Sequence, residues 1–140
     1  MDVGAEFALE LGRVSRRWRT RLDERLKHMG LNQARWTVLL QLSSSGPASQ
    51  RELAERVGVE GPSLVRVLDR LEDQGLIARH SCDEDRRIKR IHLTAEAEPV
   101  LDEITRISTA LRLELLADIP MKNIDVAWQV LKALGDRLER

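Results

Sequence analysis

Apolar side chains return every three or four residues at the start of the chain, at Phe7, Leu11, Val14, Trp18, Leu22, Leu26 and Met29. Wound at 3.6 residues per turn these positions share one side, so the spacing predicts a single long amphipathic helix, which Gly30 ends. Asn32 is placed to cap a second helix with Trp36, Val38, Leu39 and Leu40 inward, and Ser43-Ser44-Ser45-Gly46-Pro47 then predicts a loop. Ser49 and Glu52 have the spacing of a capping box, which opens a short helix through Val57 that exits at Gly58. Gly61-Pro62 begins a fourth helix, because proline suits a first turn where its missing N–H is not needed, and Gly75 closes it. Two short helices therefore meet through the turn Gly58-Val59-Glu60-Gly61.

Beyond Gly75 the period shortens. Ile77 to Cys82 and Ile88 to Leu93 are β-tolerant segments on either side of Asp83-Glu84-Asp85-Arg86-Arg87, a pattern that predicts a β-hairpin. Thr94 is a candidate cap for a fifth helix reaching about Asp118, with Pro99 past the first turn and expected to cost a backbone hydrogen bond. After Ile119-Pro120 a sixth helix starts near Asn123. Ala97, Leu101, Ile104, Ser108, Leu111 and Leu115 form a stripe on the fifth helix, and Ile124, Trp128, Leu131, Gly135 and Leu138 another on the sixth. With the first helix these make more apolar surface than one small unit covers, which predicts pairing with a second copy.

Composition narrows the class. A chain of 140 residues that is 42% hydrophobic and 33% charged folds as one domain, and Leu, Ala, Arg and Glu favour helices. No apolar run approaches the roughly 20 residues that span a bilayer, so no membrane partner is expected. Asp2, Glu6 and Glu10 stand where a secretory leader would be basic and then apolar, and Cys82 is the single cysteine, so the expected location is cytoplasmic. The 23 Lys+Arg balance 23 Asp+Glu overall, yet residues 13–27 hold seven bases against two acids while residues 91–140 hold nine acids against six bases. No Ser-His-Asp set, paired-carboxylate cleft or glycine-rich phosphate loop is present, so neither an enzyme nor a cofactor is expected.

Short helix, tight turn, second helix and hairpin is the order of a winged helix-turn-helix, in which the second helix enters the DNA major groove. The fourth helix has the two faces this requires, with Leu64, Val67, Leu68 and Leu71 in one arc and Ser63, Arg66 and Arg70 in another. Arginine can fork onto guanine or grip phosphate, and serine can donate to phosphate. A plainer reading pairs Arg66 and Arg70 with Asp69 and Asp73, each three residues further on, and the helix alone leaves both open. The hairpin favours nucleic acid. Arg86, Arg87, Lys89 and Arg90 put four bases in five residues at the tip and ascending strand, where a ribbon reaches a neighbouring groove. Asp83, Glu84 and Asp85 argue against a general polyanion binder, and one role for them is to orient the arginines.

The run VGVEGPSLVRVLDRLE from Val57 to Glu72, then Gly75-Leu76-Ile77, then DRRIKRIHLTAEAEP from Asp85 to Pro99, resembles the MarR-type winged-helix regulators and, within them, the SlyA group. The resemblance implies a mostly α fold with a small β-hairpin wing and an intertwined helical homodimer. Residues 1–30 and 94–140 would serve dimerisation and residues 31–93 would bind double-stranded DNA at a pseudo-palindromic operator. It assigns DNA contact to Ser63, Arg66 and Arg70 on the fourth helix and to Arg86 and Arg87 on the wing. Gly61 stands where SlyA-like proteins commonly carry glutamine, so this chain would lack any base contact made by that side chain.

The same resemblance implies release of DNA by a small aromatic acid such as salicylate, with Arg16, Trp18, Trp36, Leu40 and Arg66 as candidate ligand residues. Indole walls and a guanidinium suit an aryl carboxylate, although tryptophan on an amphipathic helix is more often core. His80, Cys82 and His92 raise a redox- or metal-responsive alternative, but they lack a zinc spacing motif and no metal site is expected. A helical dimerisation module without DNA binding is the other alternative.

Overall fold

A computed structural model describes residues 2–59 and 61–139. The Asp2 carboxylate accepts from the Ala5 amide at 2.7 Å and opens α1, Val3–Leu26. A 3-10 turn at Lys27–Met29 and Gly30 in the left-handed region end it, where the sequence predicts the exit. The Asn32 side chain caps α2, Gln33–Ser45. Ser43, Ser44 and Ser45 are helical rather than looped. Serine is only mildly unfavourable in a helix, and the break comes from Gly46, at φ 81°, with Pro47 behind it.

A two-residue strand β1, Ala48–Ser49, leads into α3, Gln50–Val57, whose capping box is complete. Gly58 follows at φ 69° and α4 runs from Gly61 to Asp73. Gly75, at φ 77°, donates to Glu72 while the Leu76 amide reaches back to Leu71 at 3.0 Å, the double closure of a Schellman turn. β2, Ile77–Ser81, and β3, Lys89–Leu93, are the predicted hairpin shortened by one residue on each strand. The Cys82 amide still bonds the Ile88 carbonyl at 2.7 Å. β1 adds to the far edge of β3, so the sheet order is β1-β3-β2, all antiparallel.

α5, Ala97–Leu115, begins later than the sequence predicts. Thr94 does not cap it: its hydroxyl donates to the Gly75 carbonyl at 2.6 Å and its amide to Leu76, tying the end of α4 to the end of the wing. With Ala97 as the first helical residue, Pro99 falls inside the first turn, so the expected loss of a hydrogen bond does not arise. The helix also stops before Asp118, which takes φ 66°, a conformation aspartate tolerates. α6 runs from Met121 to Leu138, starting just past Pro120. No helix among the described residues is long and apolar enough to cross a membrane.

The chain divides into two compact units, Met1–Ser108 and Thr109–Arg140. The first holds most of the core. Leu26, Leu39, Leu53, Leu64, Leu68, Leu71, Ile91 and Ile104 are fully enclosed, and α2, α3 and α4 pack on one another and on the sheet. The indole N–H of Trp36, in the same core, donates to Asp23 of α1 at 3.1 Å. In the second unit α6 has no buried residue, and Trp128 is 58% exposed.

The capping box sets the direction of α3 and gives a first test. Ser49→Ala should cost about 1 kcal/mol by urea denaturation. The Ser49 amide above all, then the Ser49 hydroxyl and the charges of Arg90 and Arg56, hold the Glu52 carboxyl below the usual glutamate range. A carboxyl depressed in the folded state stabilises above its unfolded value of about 4.3, and this stabilisation drains away as pH falls through the lower folded value. Between about pH 6 and pH 3 the wild type should therefore lose stability more steeply than Glu52→Gln, and parallel curves would show that the carboxylate contributes nothing.

Candidate nucleic-acid interface

α4 presents its two faces because its leucines are spaced for one side. Leu64, Leu68 and Leu71 are fully enclosed and Val67 is half-buried, which leaves Ser63 half-buried and Arg66 and Arg70 exposed on the other arc. The partners of these arginines decide what they can do. Asp69 does not take Arg66: it accepts from Arg79 of β2 at 2.8 Å. Arg79 is the more enclosed partner, its side chain 21% exposed against 55% for Asp69, and its Nε is buried with no partner among the described residues. An aspartate beside a half-buried guanidinium is worth more there than beside a solvated one, because the surface pair is screened. Among the described residues neither Arg66 nor Arg70 has an ion-pair partner, and both guanidinium groups stay available.

The wing treats its arginines unequally. Asp85 accepts from the Arg87 amide at 3.0 Å and from both Nε and Nη2 at 3.1 Å, a fork on a carboxylate that also forms the turn. This contact depresses the Asp85 carboxyl and raises the Arg87 guanidinium. Asp85 thus has the orienting role that the sequence suggests for the wing acids. Arg86, the next residue, is exposed and has no ion-pair partner among the described residues.

Pairing of β1 with β3 brings a further element to the wing. A recess of about 490 Å3 is lined by Ser49, Gln50 and Arg51 at the start of α3 and by Arg87, Ile88 and Lys89 of the wing. The amides of a helix start and three cations around one hollow suit an anion. Gln50 and Arg51 are absent from the set that sequence reasoning selects. Nothing in a two-residue strand signals the pairing Ser49↔Arg90 that brings them there.

The residues expected to hold an aromatic acid are dispersed over three helices. Arg16 is exposed and Trp18 half-buried on α1, Trp36 is buried and Leu40 half-buried on α2, and Arg66 lies on the exposed arc of α4. Trp36 is core, its indole N–H engaged by Asp23. His80 and His92 stand with ring centres 5.1 Å apart, and Cys82 is half-buried as a free thiol.

Comparison with known proteins agrees with this geometry. A family model described as the MarR family matches residues 31–89, from just before α2 to the start of β3. The transcriptional regulator PA3341 is 46% identical, and its crystal structure superposes with a TM-score of 0.87 over 95% of this chain and 98% of its own. The transcriptional regulator BldR from Sulfolobus solfataricus is 26% identical, with a TM-score of 0.81 over 98% of this chain and 99% of its own. CouR from Rhodococcus jostii RHA1, solved bound to p-coumaroyl-CoA, is 23% identical with a TM-score of 0.81 over 96% of this chain and 94% of its own, and shares the fold.

The choice of partner by Asp69 is measurable by double-mutant cycles. Asp69 and Arg79 should show a favourable coupling of about 0.5–1 kcal/mol, the range of a partly exposed pair, and Arg66 and Asp69 a coupling near zero. Equal couplings would mean that Arg66 is held and the arc is not free.

Proposed function

Because the chain belongs to the MarR family of transcriptional regulators, we propose that it works as a homodimer that binds a pseudo-palindromic operator in double-stranded DNA, in the cytoplasm, with the sequence features of the SlyA-like group. Members of this family are DNA-binding proteins and not enzymes, so the work lies in selective binding. The observation that carries the proposal is the free arc of α4: Arg66 and Arg70 have no counter-charge among the described residues while the opposite arc is anchored by three enclosed leucines. Residues 31–93 form the DNA-binding part. Ser63, Arg66 and Arg70 read the major groove, and Arg86 and Arg87 grip the flanking backbone or minor groove, Arg87 in the posture that Asp85 imposes. Gln50 and Arg51 at the start of α3 add a phosphate contact beside the wing.

Residues 1–30 and 94–140 supply the pairing surface. On α1 only Leu22 and Leu26 are buried, whereas Phe7 is 46% exposed and Val3, Leu9, Leu11 and Val14 are exposed with it. On α6 Val126, Trp128, Leu131 and Leu138 are exposed as well. Apolar surface on this scale is what a second copy would cover. The two-fold axis of such a dimer dictates the shape of the operator, with half-sites one helical turn apart, about 10–10.5 bp.

A second element of the reading is release by a small aromatic carboxylate such as salicylate. Half-buried Trp18 and Leu40 support it, each offering partly accessible apolar surface to an aromatic ring. Since the indole of Trp36 already donates to Asp23, the carboxylate falls to Arg16 or Arg66.

Selection of bound sequences from a random DNA pool tests the main reading. It should return a two-fold-related site, and failure to recover any sequence would leave the chain a dimerisation module. At the selected site Arg66→Ala should cost about 1–3 kcal/mol and relax preference at one position in each half-site. Arg86→Ala should weaken related sites uniformly and lower the salt slope by about one for each phosphate no longer neutralised. Inserting about 5 bp at the centre should remove most of the specific affinity, since one half-site then faces away. Unaltered binding after all three changes would refute the interface. For the ligand, salicylate should quench tryptophan fluorescence and weaken operator binding together, and quenching without a change in DNA affinity would separate ligand binding from regulation.

A further inference from the structure

The chain has three histidines, and two of them meet on the wing. In the β2–β3 register Ala78 lies opposite His92 and His80 opposite Arg90, so His80 and His92 are diagonal neighbours on one face of the hairpin. That face is the solvent side, because Ile77 and Ile91 on the other face are buried. The ring centres are 5.1 Å apart and the planes inclined by 60°. Two imidazoles that share one tetrahedral zinc, with bonds of about 2.0–2.1 Å, have ring centres about 5 Å apart. Edge-to-face packing gives a similar separation, so the surroundings must discriminate. The pair opens into a recess of about 520 Å3 lined also by Cys82, Asp83, Glu84 and Arg90. Two carboxylates there outnumber one guanidinium, and the charge of Arg90 is shared with Glu52 of α3. A recess with two imidazoles and a net negative lining suits a borderline-soft cation, and an aromatic contact alone would not call for that lining.

We propose that His80 and His92 form a two-imidazole site for a late divalent transition-metal ion of the zinc, nickel or copper class, bridging β2 and β3 beneath the wing tip. Among the described residues no three His, Cys, Asp or Glu side chains are gathered around one point, so the remaining coordination positions belong to water and the ion exchanges freely. Asp83 and Glu84 supply counter-charge through solvent and draw the ion in. An ion held this way fastens the two strands that carry Arg86 and Arg87 between them. The site is complete within one chain and does not depend on the dimer or on the operator.

Calorimetric titration of the full chain with zinc alone tests the proposal, with His28 as an internal control because it is the third histidine and lies outside the wing. The expected result is one saturable zinc per chain, abolished in His80→Gln and in His92→Gln and kept in His28→Gln. Cys82→Ser should retain it. Both wing histidines are at least partly exposed, so these variants should unfold at the wild-type temperature, which ties any failure to bind to the missing ligands. Absence of saturable uptake by the unaltered chain, uptake that survives either wing change, loss with His28→Gln, or loss with Cys82→Ser would each overturn the two-imidazole site.

Discussion

The position of one carboxylate governs the exposed side of this protein. Asp69 lies on α4 within reach of two kinds of partner, a neighbouring arginine on its own helix and Arg79 on β2, and it bonds the latter at 2.8 Å. That preference follows from burial: a guanidinium largely withdrawn from water needs an acceptor more than a solvated one does. Two results come from the same bond. Helix α4 is fastened to the sheet on its polar side as well as through its leucines, and Arg66 keeps all of its donors. The wing repeats this division on a smaller scale, with Asp85 holding Arg87 and Arg86 left open to solvent.

Most of the helical order was legible in the sequence because each boundary carries a local cause. Asn32, Ser49 with Glu52, Gly58 and Gly75 act on backbone groups within a few residues of themselves, and the structure uses each of them as its type suggests. What could not be read depends on partners distant in sequence. Thr94 has the composition of a cap, but its hydroxyl is turned to donate to the Gly75 carbonyl, 19 residues away, and α5 starts only at Ala97. β1 exists only because β3 offers it an edge. Asp69 has an arginine three residues before it, and nothing along the chain announces that Arg79 arrives closer.

The candidate contact residues divide in the same way. Ser63, Arg66 and Arg70 could be selected from helical periodicity, since a face opposite three leucines must be outside. Arg86 and Arg87 look equivalent in sequence and become different only when Asp85 folds back over one of them. Gln50 and Arg51 were out of reach because their place beside the wing is a product of sheet pairing. The expected aromatic-acid residues lie on three helices, and one of them, Trp36, is fixed by Asp23 as part of the core.

The knot at the base of the wing has a wider meaning. The Thr94 amide and hydroxyl close on Leu76 and Gly75, so the chain leaves α4 and returns towards α5 at one point. Everything between is a detour with a sealed neck. Lengthening a closed loop is inexpensive, about 0.6 kcal/mol for each doubling, so the tip can be extended, shortened or recharged while the helices on either side stay where they are. In that sense the tip is an interchangeable bit in a fixed chuck, gripped by strands whose Ile77 and Ile91 belong to the core: descent can alter its reach and charge without refolding the body that carries it.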